Sequence, residues 1–180
     1  MKARWAMFTI GAWLFGSLMM AIVAADNFYT VDRLLAGSTS SPFLSTVERL
    51  GQPHAREFLR YLSSELNRLY FQLWNIAQLA LGGMLLWLLA RDACVAKARW
   101  GVMAMLAMVV AMIAMTPAIT TIGRSLDFAP RAPAPAQLQR FWILHGTYSI
   151  LAVLQLAIGI VVAVSIGRSP SARRADRAAA

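Results

Sequence analysis

Charge is what this chain does without over most of its length. Four stretches, Trp5 to Ala25, Leu69 to Ala90, Trp100 to Gly123 and Phe141 to Gly167, contain no Asp, Glu, Lys or Arg. A water-facing helix needs a polar face, and these segments have none of any size. Carboxylates are the scarcer charge, 8 Asp and Glu against 17 Lys and Arg. The single cysteine, Cys94, excludes an internal disulfide. The only histidines are His54 and His145, and a bis-histidine haem would require the loop residue His54 to fold back. There is no Gly-rich phosphate loop, no HExxH helix and no nucleophile–base–acid set.

What is present is long apolar sequence. Each charge-free stretch has the roughly 20 residues that cross a bilayer core about 30 Å thick. In lipid, backbone groups must be paired within the segment, so the spans have to be helices. The expectation is an all-α integral membrane four-helix bundle, one domain over residues 1–168 with spans at about 5–25, 69–90, 100–123 and 141–167. A basic, Ala-rich tail over 169–180 is expected to be disordered or to lie on headgroups. The formal charge of +9 is spread along span flanks rather than massed in one patch, which fits a membrane surface and not nucleic acid. Lys2, Arg4, Arg91, Lys97, Arg99, Arg168, Arg173, Arg174 and Arg177 fall on one side, opposed only by Asp92 and Asp176. The other side carries Arg33, Arg49, Arg56, Arg60, Arg68, Arg124, Arg131 and Arg140, nearly balanced by Asp26, Asp32, Glu48, Glu57, Glu65 and Asp127, and much of that set lies in one long segment. With short segments near the spans weighted, the positive-inside rule puts both termini in the cytoplasm of a bacterial-type inner membrane. The first apolar run is longer than the 7–15 residues of a secretory h-region, so it is read as a signal-anchor-like first span.

The connections differ in kind. Residues 26–68 form a long extracytoplasmic segment whose middle, Ala36 to Pro42, reads as loop. After Gly51-Gln52-Pro53 the residues Phe58, Leu62, Leu66 and Leu69 recur at helical spacing. The second helix is therefore expected from about Pro53 to Arg91, about 58 Å long. Its extracytoplasmic extension beyond the span should project outward or bend along the interface as an amphipathic segment. A short basic loop, Arg91 to Arg99, implies an antiparallel hairpin, and Ala129 to Pro135 reads as a proline-rich strap. Gln78-Leu79-Ala80-Leu81-Gly82 has an echo in Gln155-Leu156-Ala157-Ile158-Gly159.

Polar residues enter the spans at a few positions. Glu65, Arg68, Gln72 and Asn75 follow a 3-4-3 spacing and share one helix face, with Gly82 and Gly83 near its continuation. On the last span His145, Tyr148, Ser149 and Gln155 share a face, and Thr116, Thr120 and Arg124 lie along an arc of the third. Amides set against lipid are costly, so these side chains are expected to turn inward to a common polar pocket in the outer half. The plainer reading is a layer of interhelical hydrogen bonds worth about 1 kcal/mol or less each. Met105, Met108, Met112 and Met115 form a further stripe. Thioethers suit Cu(I), but with no Cys or His beside them packing is the expected role. Asp127 sits three residues after Arg124, the spacing of a local ion pair. Trp5, Trp13, Trp74, Trp87, Trp100 and Trp142 are read mostly as interfacial anchors, Trp74 lying deeper.

The run Arg140-Phe141-Trp142-Ile143-Leu144-His145-Gly146-Thr147-Tyr148-Ser149 resembles the last-helix signature of four-helix membrane proteins related to transmembrane protein 205, distantly similar to copper-resistance protein D. Trp13-Leu14-Phe15-Gly16 resembles their Trp-x-Gly-Gly region, with Phe15 at a glycine position and no histidine in the first span. That resemblance implies the four-span layout and no settled activity. The functional expectation is a non-enzymatic accessory or assembly subunit of a larger membrane complex, its partners being the lipid bilayer and a membrane protein or a second copy of itself. The alternative is a small-molecule or cofactor-binding membrane protein, for quinone, haem or lipid. The residues name no cofactor.

Overall fold

In the computed structural model residues 2–90, 95–129 and 133–169 are described. Cys94, the middle of the proline-rich connection and the tail beyond residue 169 lie outside them. Every regular element among the described residues is helical: α1 Lys2–Gly37, α2 Ser41–Leu50, α3 Gln52–Leu89, α4 Ala96–Leu126 and α5 Gln137–Gly167. α1, α3, α4 and α5 are each long and apolar enough to cross a membrane. They pack in the cyclic order α1–α3–α4–α5, each against the next, around a common core that includes Ile10, Leu85, Val102, Met105, Met112 and Val162. Met105 and Met112 of the methionine stripe are therefore core residues, 0% and 1% exposed.

α3 starts at Gln52, where the Gly-Gln-Pro run predicts. Gly51 takes a left-handed φ of 78°, which glycine adopts without steric cost, and turns the chain from α2 into α3. Proline at the first turn gives up no hydrogen bond there.

α1 continues beyond its charge-free stretch to Gly37, 36 residues in all, and the loop expected over Ala36 to Pro42 is reduced to residues 38–40 before α2. Its last three turns have a partner: Val31 and Leu35 pack with Ala55, Leu59 and, from the unforeseen α2, Phe43 and Val47. Polar contacts close the same seam. Asn27 Nδ2 donates to Asn67 Oδ1 at 2.6 Å, Asn67 Nδ2 to the Ala24 carbonyl at 3.0 Å, and Ser63 Oγ to the Asn27 carbonyl at 3.2 Å. Asp32 of α1 receives Arg60 at 3.2 Å and Arg56 at 3.6 Å. Tertiary contact thus carries the helix past its apolar run, since isolated propensity counts for little beside an amphipathic face with something to pack on.

Each of the four seams has a glycine into which a large side chain fits. Gly16 lies under the Trp74 indole between α1 and α3, Gly82 under Leu106 between α3 and α4, Gly101 under Val162 between α4 and α5, and Gly159 under Leu14 between α5 and α1. A Cβ at any of the four would collide with its neighbour. Small residues that let helices close up are the usual means of association where apolar burial drives nothing. Replacing Gly16 by Leu is expected to lower stability by about 1–3 kcal/mol through overpacking against the rigid indole. Gly83, with nothing within 4 Å, should accept alanine without loss. Thermal melts in detergent, followed by helical circular dichroism, separate the two outcomes.

Candidate functional site

Within the apolar stretches the sequence places four hydrogen-bonding side chains on three helices that meet. Trp13 of α1 is fully buried and its Nε1 donates to Gln78 Oε1 of α3 at 2.9 Å. Gln78 Nε2 reaches Asn75 Oδ1, one turn back, at 3.4 Å. The same oxygen accepts the Tyr148 hydroxyl of α5 at 3.1 Å. Gln78 and Asn75 are each 2% exposed, so an unpaired amide there would forfeit its whole solvation energy. Gln155 of α5 is as deeply buried and donates to the Met105 carbonyl of α4 at 3.2 Å. Every long helix is tied to another by a buried amide or indole.

The echo between α3 and α5 is thereby a match in role. Gln78 and Gln155 are both buried donors, and the glycines four residues on, Gly82 and Gly159, both admit a leucine from a neighbouring helix.

A second group lies before the apolar stretch of residues 69–90. Glu65 accepts two hydrogen bonds from Arg124, at 2.9 Å each, and a third from Arg68. Arg68 Nη2 also reaches Asp127 Oδ2 at 2.8 Å, over Gly123, where a Cβ would stand 3.1 Å from the guanidinium. The local pairing of Arg124 with Asp127 is thus overturned. Each charge finds its partner across the α3–α4 seam, which the missing side chain at 123 opens to Arg68. The Arg124 hydrogen bonds, with those of Arg68 behind them, outweigh burial and hold the Glu65 carboxyl down from 4.5 to about 2. The same bond raises Arg124 above its ordinary value.

The structure divides the eleven residues expected in one pocket. Asn75 and Tyr148 meet; Glu65, Arg68 and Arg124 meet further out; Gln155 stands apart with Met105. Gln72 is exposed, and Thr120 is partly buried on α4. Thr116 and Ser149 donate to carbonyls one turn back on their own helices, Met112 at 2.8 Å and His145 at 2.9 Å. His145 is exposed and stacks on Phe141, ring centres 5.6 Å apart and 9° from parallel, with Trp142 edge-on at 6.2 Å. Trp13 is no interfacial anchor; Trp5, Trp87, Trp100 and Trp142, 54–70% exposed, are the tryptophans at the surface. Two members of the inner network, Trp13 and Gln78, escape the stripe analysis. Gln78 continues the Glu65–Asn75 stripe three residues on, and Trp13 is the tryptophan nearest the middle of its apolar run.

The chemistry on offer is cohesion, because the amides spend their capacity on each other. Trp13→Phe and Gln78→Leu should each destabilise by about 1–3 kcal/mol, since each strands a buried partner. The double variant should lose less than the sum, with a coupling of about 0.5–2 kcal/mol in a thermal-denaturation cycle. The ionic group gives a pH signature. Unfolded Glu65 takes up its proton near 4.5 and the folded form near 2, so its stabilisation is full above pH 4.5 and fades as pH falls towards 2. Melting profiles should slope down over that interval, and Glu65→Gln should flatten the part due to this group. No family model, no curated protein and no solved structure matches the chain, so the functional reading rests on this geometry.

Proposed function

We propose that this chain is a four-span integral protein of a bacterial-type inner membrane, with both termini cytoplasmic and a helical hairpin on the outer side. In this reading it is a non-enzymatic accessory or assembly subunit, and the hairpin and α3 seat a partner membrane protein. Charge distribution supports the orientation. Among the described residues Lys2, Arg4, Lys97, Arg99 and Arg168 gather at one end almost without acids. At the other, Arg33, Arg49, Arg56, Arg60, Arg68, Arg124 and Arg140 belong largely to one long segment and stand among Asp26, Asp32, Glu48, Glu57, Glu65 and Asp127. Weighting the short segments next to the spans favours the first end as cytoplasmic. Beyond their apolar stretches α1 and α3 continue through residues 26–37 and 52–68, about 18 and 25 Å at 1.5 Å per residue.

One observation carries the partner reading. Leu69, Leu73 and Ile76 form the exposed apolar face of α3 within its span, as lipid contact requires. That face does not stop at the edge of the charge-free stretch: Phe58 and Leu62, 59% and 49% exposed, extend it along the outer part of α3. A helical membrane protein lying along α3 and continuing past the membrane surface covers both parts at once.

Native mass spectrometry after gentle detergent extraction tests this. The expected result is a complex of defined mass that Phe58→Ser with Leu62→Ser reduces to the 19.7 kDa chain, with helical content unchanged. A wild-type protein that leaves the membrane only at that mass would overturn the reading.

A further inference from the structure

Outside the bundle core the described residues enclose a cleft of about 550 Å³ between the hairpin and the start of the α4–α5 connection. One wall is a single face of α3, with Arg56, Glu57, Arg60 and Tyr61 turned to it, and Phe28 and Phe128 close the other sides. Tyr61 and Glu57 carry the Glu65–Asn75 stripe on towards the start of α3, and Arg56 and Arg60 lie beside it, off the apolar stripe.

Three features bear on what the cleft can hold. Arg56 and Arg60 share one carboxylate, Asp32, at 3.6 and 3.2 Å, so the trio keeps a positive charge. Arg60 Nε is buried yet has no hydrogen-bond partner among the described residues. The first turn of α3, Gln52 and Pro53, lines the same wall without a side-chain cap, and a helix start favours negative charge. Beside these lies Glu57, a carboxylate with no ion pair among the described residues. Asp127, also at the cleft, is taken by Arg68. At the rim Phe128 holds a left-handed backbone, φ 60°, the only non-glycine residue described that does so, and its ring packs on Tyr61 at 5.3 Å. Strain of this kind collects where a side chain must be held in place for a ligand.

We propose that the cleft binds a phosphodiester carrying a primary amine, the chemistry of a phosphoethanolamine headgroup. The phosphate lies on Arg56, Arg60 and the α3 start, the ammonium on Glu57, and the glycerol or other apolar part between Tyr61, Phe28 and Phe128. One surplus positive charge and one free carboxylate on adjacent positions match a zwitterion, whereas a plain anion would face Glu57. The volume suits such a headgroup. Leu126 and Ser64, among the lining residues, stand near the edge of the apolar stretches, so the same chemistry is offered to a lipid or to a soluble headgroup. This site needs no partner protein and goes beyond the docking reading above.

Titration calorimetry on the full chain in maltoside micelles, with dihexanoyl phosphatidylethanolamine, dihexanoyl phosphatidylglycerol and soluble glycerophosphoethanolamine, decides it. The ethanolamine lipid should bind about 10-fold or more tighter than the glycerol lipid, the worth of one charge-assisted hydrogen bond. Arg56→Gln should weaken both lipids about 10-fold, and Glu57→Gln should erase the preference while leaving the phosphate held. Both side chains are exposed, and Asp32 keeps its shorter contact with Arg60 at 3.2 Å when Arg56 is replaced, so the fold should survive either change; unchanged helical circular dichroism checks it. Equal affinity for glycerophosphoethanolamine assigns a soluble ligand; binding of the lipid about 10-fold tighter assigns the membrane as its source. No binding of either ethanolamine compound, no preference in the wild type, or a preference that survives Glu57→Gln overturns the proposal.

Discussion

The spacing between helices rests on four missing side chains. With Gly16, Gly82, Gly101 and Gly159 each accepting a bulky neighbour, all four seams close to side-chain contact. Only at that separation do an indole on α1 and a phenol on α5 both reach the short amides of α3. A wider bundle would leave Trp13, Asn75 and Gln78 as buried polar groups without partners, each a liability of about 1–3 kcal/mol. Close packing therefore comes first, and the hydrogen bonds are its dependants.

On that spacing the polar side chains are arranged in tiers along α3. Deepest are Gln78 and Asn75, joined to Trp13 and Tyr148. Next outward come Arg68 and Glu65, which bind α4 through Asp127 and Arg124. Beside and beyond them, Asn67, Ser63 and Arg60 hold the extended end of α1. α3 touches α1 and α4 directly and reaches α5 through one tyrosine, so it is the element on which the others are hung. The tiers are selective as well as cohesive, because an amide or carboxylate without its mate is far worse than none.

Much of this was legible from residues alone, and the misses have a common cause. Charge-free runs locate the four long helices because length and composition suffice for that. The start of α3 could be read from Gly51-Gln52-Pro53, since turn chemistry is local. Helix faces were legible too: Asn75 and Tyr148 sit on the faces assigned to them and do meet. What a single sequence withholds is the rotation of one helix against its neighbour. His145 and Tyr148 are three residues apart, yet one lies outside against Phe141 while the other reaches the interior. Gln72 and Asn75 part in the same way. The continuation of α1 to Gly37 was hidden for a related reason: the residues that support it, Ala55 and Leu59, come some twenty positions later in the chain.

The two longest helices are unbroken, α1 over 36 residues and α3 over 38, and they are fastened together from the hairpin down to Trp13 and Gln78. α4 instead carries Pro117 within its length, which removes a backbone hydrogen bond and marks a point where a helix bends. A fastened pair of helices free of proline beyond the first turn thus stands beside one that carries it, so the backbone hydrogen-bond ladder is complete along the pair and lacks a rung in the third.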